Sequence, residues 1–347
     1  MKTLTTLTAA SLACASMSLA ESYNFGMQDL TIPDPNGDRP ITGVVWYPTL
    51  EQETVKALGN KVWKSYETAP EAEPAPGRYP LVLLSHGMYG NHRNQAWLAQ
   101  GLVERGYIVA AIDHPGTSTF ERDPAHAQAL NERPNDISRT IDALTSQPWV
   151  AQNMSGEIFV AGHSLGGWTS IALAGGQFSA DQYHAFCNSA EADVACKVLQ
   201  RWDIATTPET SAAMEQDMSD PRVSAFAVFD LGGTQTFTPE SLRAIDRPVL
   251  VYGAPAGDEE KLNLDIESRA LASMLPEESS IYVEPTDLTH FDFMGECTGM
   301  GLTILRVVEP NDTYVCKNGR GARAEKHEMI IDQVDAFFSA AADGSPS

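Results

Sequence analysis

Five residues, Gly162-His163-Ser164-Leu165-Gly166, constrain this chain more than any others because of what flanks them. The apolar run Glu157-Ile158-Phe159-Val160-Ala161 leads in, and the helix-like segment Gly167-Trp168-Thr169-Ser170-Ile171-Ala172-Leu173-Ala174 leads out. Strand, G-x-S-x-G, helix is the context in which this pattern is a nucleophile elbow. A serine forced onto so sharp a turn has a strained backbone, and side chains two residues to either side would collide. Glycine at 162 and 166 removes that collision. The turn then holds the Ser164 hydroxyl above a sheet, at a helix N-terminus that favours developing negative charge.

The chain has 347 residues, 43% of them hydrophobic, enough for a sizeable buried core. Its formal charge of -23 argues against a nucleic-acid partner, which needs a basic surface, and against docking on anionic lipid by charge alone. Lys2, the uncharged stretch from Leu4 to Leu19 and the small residues before Glu21 predict an export signal over residues 1–20. That stretch is too short and too polar for a stable membrane span. Cleavage there removes Cys14 and leaves Cys187, Cys196, Cys297 and Cys316, which allow three connectivities. The close spacing within each half favours Cys187–Cys196 and Cys297–Cys316, bridges suited to a periplasmic or secreted protein. Neither pair has zinc-site spacing. No metal or organic cofactor is called for.

Strand and helix patterns alternate along the rest. Ile41 to Tyr47 reads as a strand stopped by Pro48, and residues 50–79 read as a surface insertion. Leu81–Ser85 and Tyr107–Ile112 are short apolar runs typical of buried parallel strands. Between them, residues 93–105 have helical spacing and end at Gly106; Arg133–Ser146 is a helix with Ile137, Ile141 and Leu144 on one face. Residues 178–220 read as a small helical cap inserted over the sheet's C-terminal edge. Strands follow at 223–229, 249–252 and 281–283, and a last helix runs from about Glu325 to Ala340 with Ile330, Ile331, Val334, Phe337 and Phe338 inward. The expected architecture is a single α/β domain over residues 21–347, with a mostly parallel central sheet flanked by helices.

An acylating serine needs a base, and the base needs an orienting acid; in this architecture they follow in the order Ser, acid, His. His290 stands after the 281–283 strand, where the base belongs, whereas His327 falls inside the last helix pattern and reads as a solvated helix residue. Two aspartates compete for the acid. Asp258 lies in the loop after the 249–252 strand, and Asp230 directly ends the preceding one; Asp258 is favoured narrowly, and Asp287 reads as a turn residue. For the oxyanion, one N–H is expected from Leu165 and the other from Met88, in Ser85-His86-Gly87-Met88-Tyr89-Gly90. His86, His163 and His114 read as supports of these turns. Tyr89, Trp168 and Phe291 flank the site as candidate linings of an acyl pocket, with core packing as the alternative.

Several stretches together resemble one family: Ser85-His86-Gly87-Met88, Gly106 to His114, Asp136 to Leu144, Gly162 to Gly167, and Thr289-His290-Phe291-Asp292-Phe293. They are similar to serine hydrolases of the α/β-hydrolase superfamily, in the group of platelet-activating-factor acetylhydrolases and predicted dienelactone hydrolases, from about residue 24 to 340. The resemblance implies an α/β-hydrolase fold and ester hydrolysis through an acyl-enzyme, with Ser164, His290 and an aspartate as triad. Small-molecule or lipid esters are the substrates it brings into view, and polyester or amide cleavage stays open because a triad does not choose the leaving group. Dienelactone hydrolases carry a cysteine where this chain has Ser164. The acetylhydrolase pattern points to Asp230 as acid and the bacterial relatives to the loop of Asp258, so the resemblance leaves both open.

Overall fold

The computed structural model describes residues 23–35, 37–257, 262–317 and 323–344. The signal expected over residues 1–20, Cys14 and Asp258 lie outside these. Ten described strands run in chain order as β1 (Asn24–Ile32), β2 (Ile41–Thr49), β3 (Val55–Ala57), β4 (Tyr66–Pro70), β5 (Tyr79–Ser85), β6 (Ile108–Asp113), β7 (Met154–His163), β8 (Ala225–Phe229), β9 (Val249–Tyr252) and β10 (Ser280–Val283). They form one sheet in the spatial order β10-β9-β8-β7-β5-β6-β2-β1-β4-β3. The six strands from β6 to β10 through β5 are mutually parallel. β2 joins β6 antiparallel, and β1 joins β2 antiparallel.

The parallel strands are apolar at nearly every position because both of their faces are covered. Leu81 and Leu83 of β5 enter one core with Ile137, Ile141 and Leu144 of a helix at Glu132–Thr145. Val82 and Leu84 enter the other with Trp97, Leu102, Ile330 and Phe338. In chain order the helices are α1 (Ala96–Glu104), α2 (Pro124–Gln128), α3 (Glu132–Thr145), α4 (Pro148–Asn153), α5 (Leu165–Ala174), α6 (Ala180–Cys187), α7 (Val194–Arg201), α8 (Pro208–Met214), α9 (Pro239–Arg243), α10 (Ser268–Met274), α11 (Gly301–Val308), α12 (Tyr314–Lys317) and α13 (Arg323–Ala342). Helices α1 and α13 pack on one face of the sheet, and α3 and α5 on the other. The three short helices α6, α7 and α8 fill the segment expected to be a cap.

Two expectations need correcting. Pro48 does not stop β2, which continues to Thr49. Its pairing with β6 ends at Trp46, so Pro48 sits where one flank of the strand has left the ladder. Residues 50–79 are also more than a loop. They supply β3 and β4, which extend the sheet beyond β1.

What positions the site is the register of the parallel strands. Ser85 lies level with Gly162, His163 with Phe229, Phe229 with Tyr252, and Tyr252 with Val283. The residues after these emerge side by side at the sheet's carboxyl edge, where open α/β sheets place their ligand crevices. Disulfides tie down two neighbouring segments, Cys187–Cys196 between α6 and α7 and Cys297–Cys316 at α12.

Candidate active site

Ser164 follows β7 with φ 56° and ψ -118°, a conformation that costs a non-glycine residue energy. It is held because a Cβ at position 162 would stand 2.0 Å from the Gly166 carbonyl oxygen, and one at 166 would stand 1.9 Å from that of Ser85. Only glycine fits at either place. The Ser164 N–H donates to the Phe229 carbonyl at 2.9 Å, so the turn is pinned to the neighbouring strand. Helix α5 starts immediately after, at Leu165.

Asp230 stands at the tip of β8 with φ 44° and is fully buried. One carboxylate oxygen, Oδ1, accepts the Ala254 N–H at 3.0 Å; the other, Oδ2, lies 2.6 Å from His290 Nδ1. His290 opens the short 3₁₀ turn His290–Phe293 beyond β10 and is buried except at its edge. His163, inside the elbow, supports it from behind. Its Nε2–H donates to the His290 carbonyl at 2.8 Å, and the two rings lie 4.6 Å apart. Burial first, and then the neighbouring His290, pull the His163 pKa well below the usual histidine value, so it serves as a neutral donor. Asp230, one of the two aspartates open from sequence, thus meets His290; Asp258 lies outside the described residues. Asp287 is an exposed turn residue paired with Lys326 at 3.5 Å.

The loop after β5 lies against Ser164. A Cβ on Gly87 would approach Ser164 Cβ to 3.1 Å. A tight turn from Gly87 to Gly90, closed by Gly90 N–H to Gly87 O at 3.0 Å, forces Tyr89 to φ 53°. His86 Nδ1–H donates to the same Gly87 carbonyl at 2.6 Å, while its Nε2 accepts the His114 N–H at 3.0 Å. Two donors on the Gly87 oxygen fix the plane of the Gly87–Met88 peptide, and its N–H points the other way. Among the described residues, the N–H groups of Met88 and Leu165 have no acceptor.

The flanking aromatic residues divide. Tyr89 receives the Trp202 indole N–H on its hydroxyl at 3.1 Å, joining the 178–220 segment to the loop, and the Arg122 guanidinium lies 4.4 Å over its ring. Phe291 packs edge-on against His290 at 4.9 Å. Trp168 matches the core-packing alternative. One turn into α5 it is fully buried, stacked on Phe237 and bonded to Thr236 Oγ1 at 3.0 Å, so its role is core packing. His327 is likewise buried, contrary to its helical-surface reading. It stacks on Trp97 at 3.8 Å and bonds the Asp292 carbonyl, and burial lowers its pKa to about 3.

Sequence reasoning missed a buried polar chain beneath the loop. Arg39 binds Asp136 through Nε at 3.1 Å and Nη2 at 2.9 Å; Asp136 lies 3.0 Å from His114 Nδ1, and His114 Nε2 lies 2.9 Å from Ser85 Oγ. Arg133 reaches the same Ser85 hydroxyl at 3.2 Å. One signal was available: Arg133 falls four residues before Ile137, on the apolar stripe of its helix, where an arginine is out of place without a task.

The family model for serine aminopeptidase, S33, matches residues 78–192, a span that holds the 85–90 loop and the elbow but ends before Asp230 and His290. No curated relative matches the chain. Among solved structures it is similar to a ferulic acid esterase from Streptomyces cinnamoneus, at 21% identity and a TM-score of 0.63, over 95% of this chain and 94% of that one. The fold is therefore that of the α/β-hydrolases. With the elbow in place, the class that fold and site define is the serine hydrolases.

Proposed function

We propose that the protein is an exported carboxylic-ester hydrolase with Ser164, His290 and Asp230 as its triad. The observation that carries this reading is the hydrogen bond of 2.6 Å between His290, in the loop beyond β10, and Asp230, at the tip of the strand beside the elbow. His290 Nδ1–H donates to Asp230, which leaves Nε2 free to take the Ser164 proton as its oxygen attacks the ester carbonyl. The Met88 and Leu165 N–H groups hold the oxyanion. Imidazolium then protonates the leaving alcohol, and the neutral ring activates water against the acyl-enzyme. Asp230 keeps the histidine in the correct tautomer and stabilises its cation.

Asp230 at the end of its strand agrees with the acetylhydrolase pattern, which supports a place for the chain in that group and a phospholipid short-acyl ester as a substrate to try. The neighbour's name supports esters over amides, and the family model's name supports the reverse. The triad itself does not choose the leaving group, so ester and anilide substrates belong in the same assay. Residues 178–220 serve as the cap of a single catalytic domain, a role supported by the Trp202–Tyr89 bond above the loop. Export is supported by the two disulfides, since such bonds persist in oxidising compartments.

The test is turnover of p-nitrophenyl acetate, butyrate and octanoate, and of the matching anilides, by wild type and Ser164→Ala. Ester turnover abolished in the variant is expected. Undiminished activity in Ser164→Ala would end the proposal, and the chain-length profile sizes the acyl pocket.

A further inference from the structure

The catalytic cycle leaves one buried charge without a task. Arg133, on the core-facing stripe of α3, is fully buried, and no carboxylate lies within salt-bridge distance of it among the described residues. Its Nε donates to Thr169 Oγ1 at 3.0 Å, Nη1 to Thr117 Oγ1 at 2.6 Å, and Nη2 to Ser85 Oγ at 3.2 Å and to the His86 carbonyl. All four acceptors are neutral. The nearest acid, Asp136, is occupied by Arg39 and His114, with Arg139 a further 3.7 Å away. Burial lowers the Arg133 pKa to about 9, which still leaves it charged at neutral pH. Burial and Arg133 together keep His86 and His114 neutral. Asp136 attracts the guanidinium through space but does not bond it, and a cation buried without a direct ion pair is unfavourable for folding, so the position asks for a functional reason.

Its acceptors supply one. Ser85 and His86 begin the loop that carries Met88. Thr117 accepts the N–H of strained Tyr89 on its carbonyl at 2.7 Å. Thr169 donates its hydroxyl to the Leu165 carbonyl at 3.0 Å, in the first turn of α5. The guanidinium thus joins the two chain segments from which the oxyanion donors come.

We propose that Arg133 is a positioning residue for the oxyanion hole. It clamps the 85–90 loop to the start of α5 so that the Met88 and Leu165 N–H groups converge, and it places a fixed positive charge behind them where negative charge develops on the ester oxygen. A planar fork with five donors suits this task; a lysine ammonium cannot span the same four acceptors. The inference rests on the reading of Ser164 as nucleophile, and its effect belongs to the transition state more than to the bound substrate.

The experiment uses the full-length protein and the variants Arg133→Met, Arg133→Ala, Thr117→Val and Thr169→Val. Active sites are titrated with a fluorophosphonate, and each variant is assayed on p-nitrophenyl butyrate and for binding of butylboronic acid, whose serine adduct places an oxygen where the oxyanion sits. Arg133→Met is expected to lose about tenfold to a hundredfold in kcat per titrated site with little change in KM, and boronate affinity should fall in parallel. Each threonine variant should show a smaller loss of the same kind, and added guanidinium ion should restore part of the activity of Arg133→Ala. Wild-type kcat per titrated site and wild-type boronate affinity in Arg133→Met overturn the proposal. So does a loss confined to the number of titratable sites, which marks a folding effect. If Arg133→Met does not fold, wild-type values in both threonine variants overturn it equally. Ser164→Ala separates the two claims: full activity there removes the catalytic reading itself, whereas an inactive Ser164→Ala beside unaffected Arg133 variants removes only this one.

Discussion

Asp230→Asn probes the site at its most specific point, because one carboxylate there makes two different hydrogen bonds. Oδ1 accepts the Ala254 N–H at 3.0 Å, and Oδ2 faces His290 Nδ1 at 2.6 Å. Asparagine fits the same space, and the Ala254 N–H demands its carbonyl oxygen. The amide NH2 is then left facing His290. It can only donate, so Nδ1 must become the acceptor and the ring proton moves to Nε2. That tautomer has no lone pair for the Ser164 proton. Losing a charge-assisted hydrogen bond alone would cost about 1.5–3 kcal/mol, or roughly tenfold to 150-fold. Reversing the tautomer costs more, about 10⁴ in kcat for the same change in a serine protease, equivalent to about 5.4 kcal/mol. The size of the loss therefore tells one effect from the other. The assay is kcat on p-nitrophenyl butyrate per titrated site, with Asp258→Asn measured beside it. A loss near 10⁴ in Asp230→Asn and little change in Asp258→Asn is expected. An Asp230→Asn enzyme within tenfold of wild type, or a Asp258→Asn enzyme that loses 10⁴, would refute the reasoning.

Two further substitutions test the scaffold. Gly166→Ala drives a Cβ to 1.9 Å from the Ser85 carbonyl, where backbone meets backbone and neither side yields cheaply; about 3 kcal/mol of stability and more than about a hundredfold in kcat should be lost, and a urea midpoint equal to wild type would show that the elbow is looser than described. Glu267 is fully buried, accepts the Gly233 and Thr234 N–H groups, and has its pKa raised well above normal, chiefly by burial and then by Asp193. A carboxyl whose folded pKa is raised binds its proton more tightly in the native state, so stability falls as pH rises from about 4.5 toward that folded value. Glu267→Gln should remove this fall, giving a Tm close to wild type near pH 4.5 and a higher one at pH 8; parallel Tm curves against pH would count against it.

Sequence and structure agree wherever an interaction is local. The elbow could be read because Gly162 answers a clash inside the motif, with the Gly166 carbonyl, although Gly166 itself answers one with the distant Ser85; the buried strands could be read because both faces of each are covered. The last helix could be placed because Ile330, Ile331, Val334, Phe337 and Phe338 all fall on one face, and all five are buried. His327 shows where that stops: a histidine at a helical position reads as solvated unless one knows that Trp97, 230 residues earlier, offers a ring to stack on. Trp168 was equally ambiguous, since only the distant turn at 234–237 decides whether it faces a pocket or the core. The acid was ambiguous for a related reason. Asp230 and Asp258 both follow strands, and that Asp230 emerges beside the elbow rests on the register that sets Phe229 level with His163. The Arg39–Asp136–His114 chain joins residues nearly a hundred positions apart, and no local pattern announces it.

The register also accounts for the strain. Ser164, Asp230 and Tyr89 all have positive φ, a cost of roughly 1–3 kcal/mol for each. Each is compensated in the same way. The Ser164 N–H bonds Phe229 O on β8, the Asp230 N–H bonds Tyr252 O on β9, and the Tyr89 N–H bonds Thr117 O. For Ser164 and Asp230 the donor continues the parallel ladder one residue beyond its strand while the chain has already turned. The sheet's last hydrogen bond and the first bend of the loop thus fall on one residue, which fixes where its side chain leaves the surface. Adjacent strands in register then present Ser164 and Asp230 side by side, and His290 needs only to reach Asp230 from the loop beyond β10. Because the ladder sets these positions, the arrangement is formed before substrate arrives, and little reorganisation is left for the chemical step.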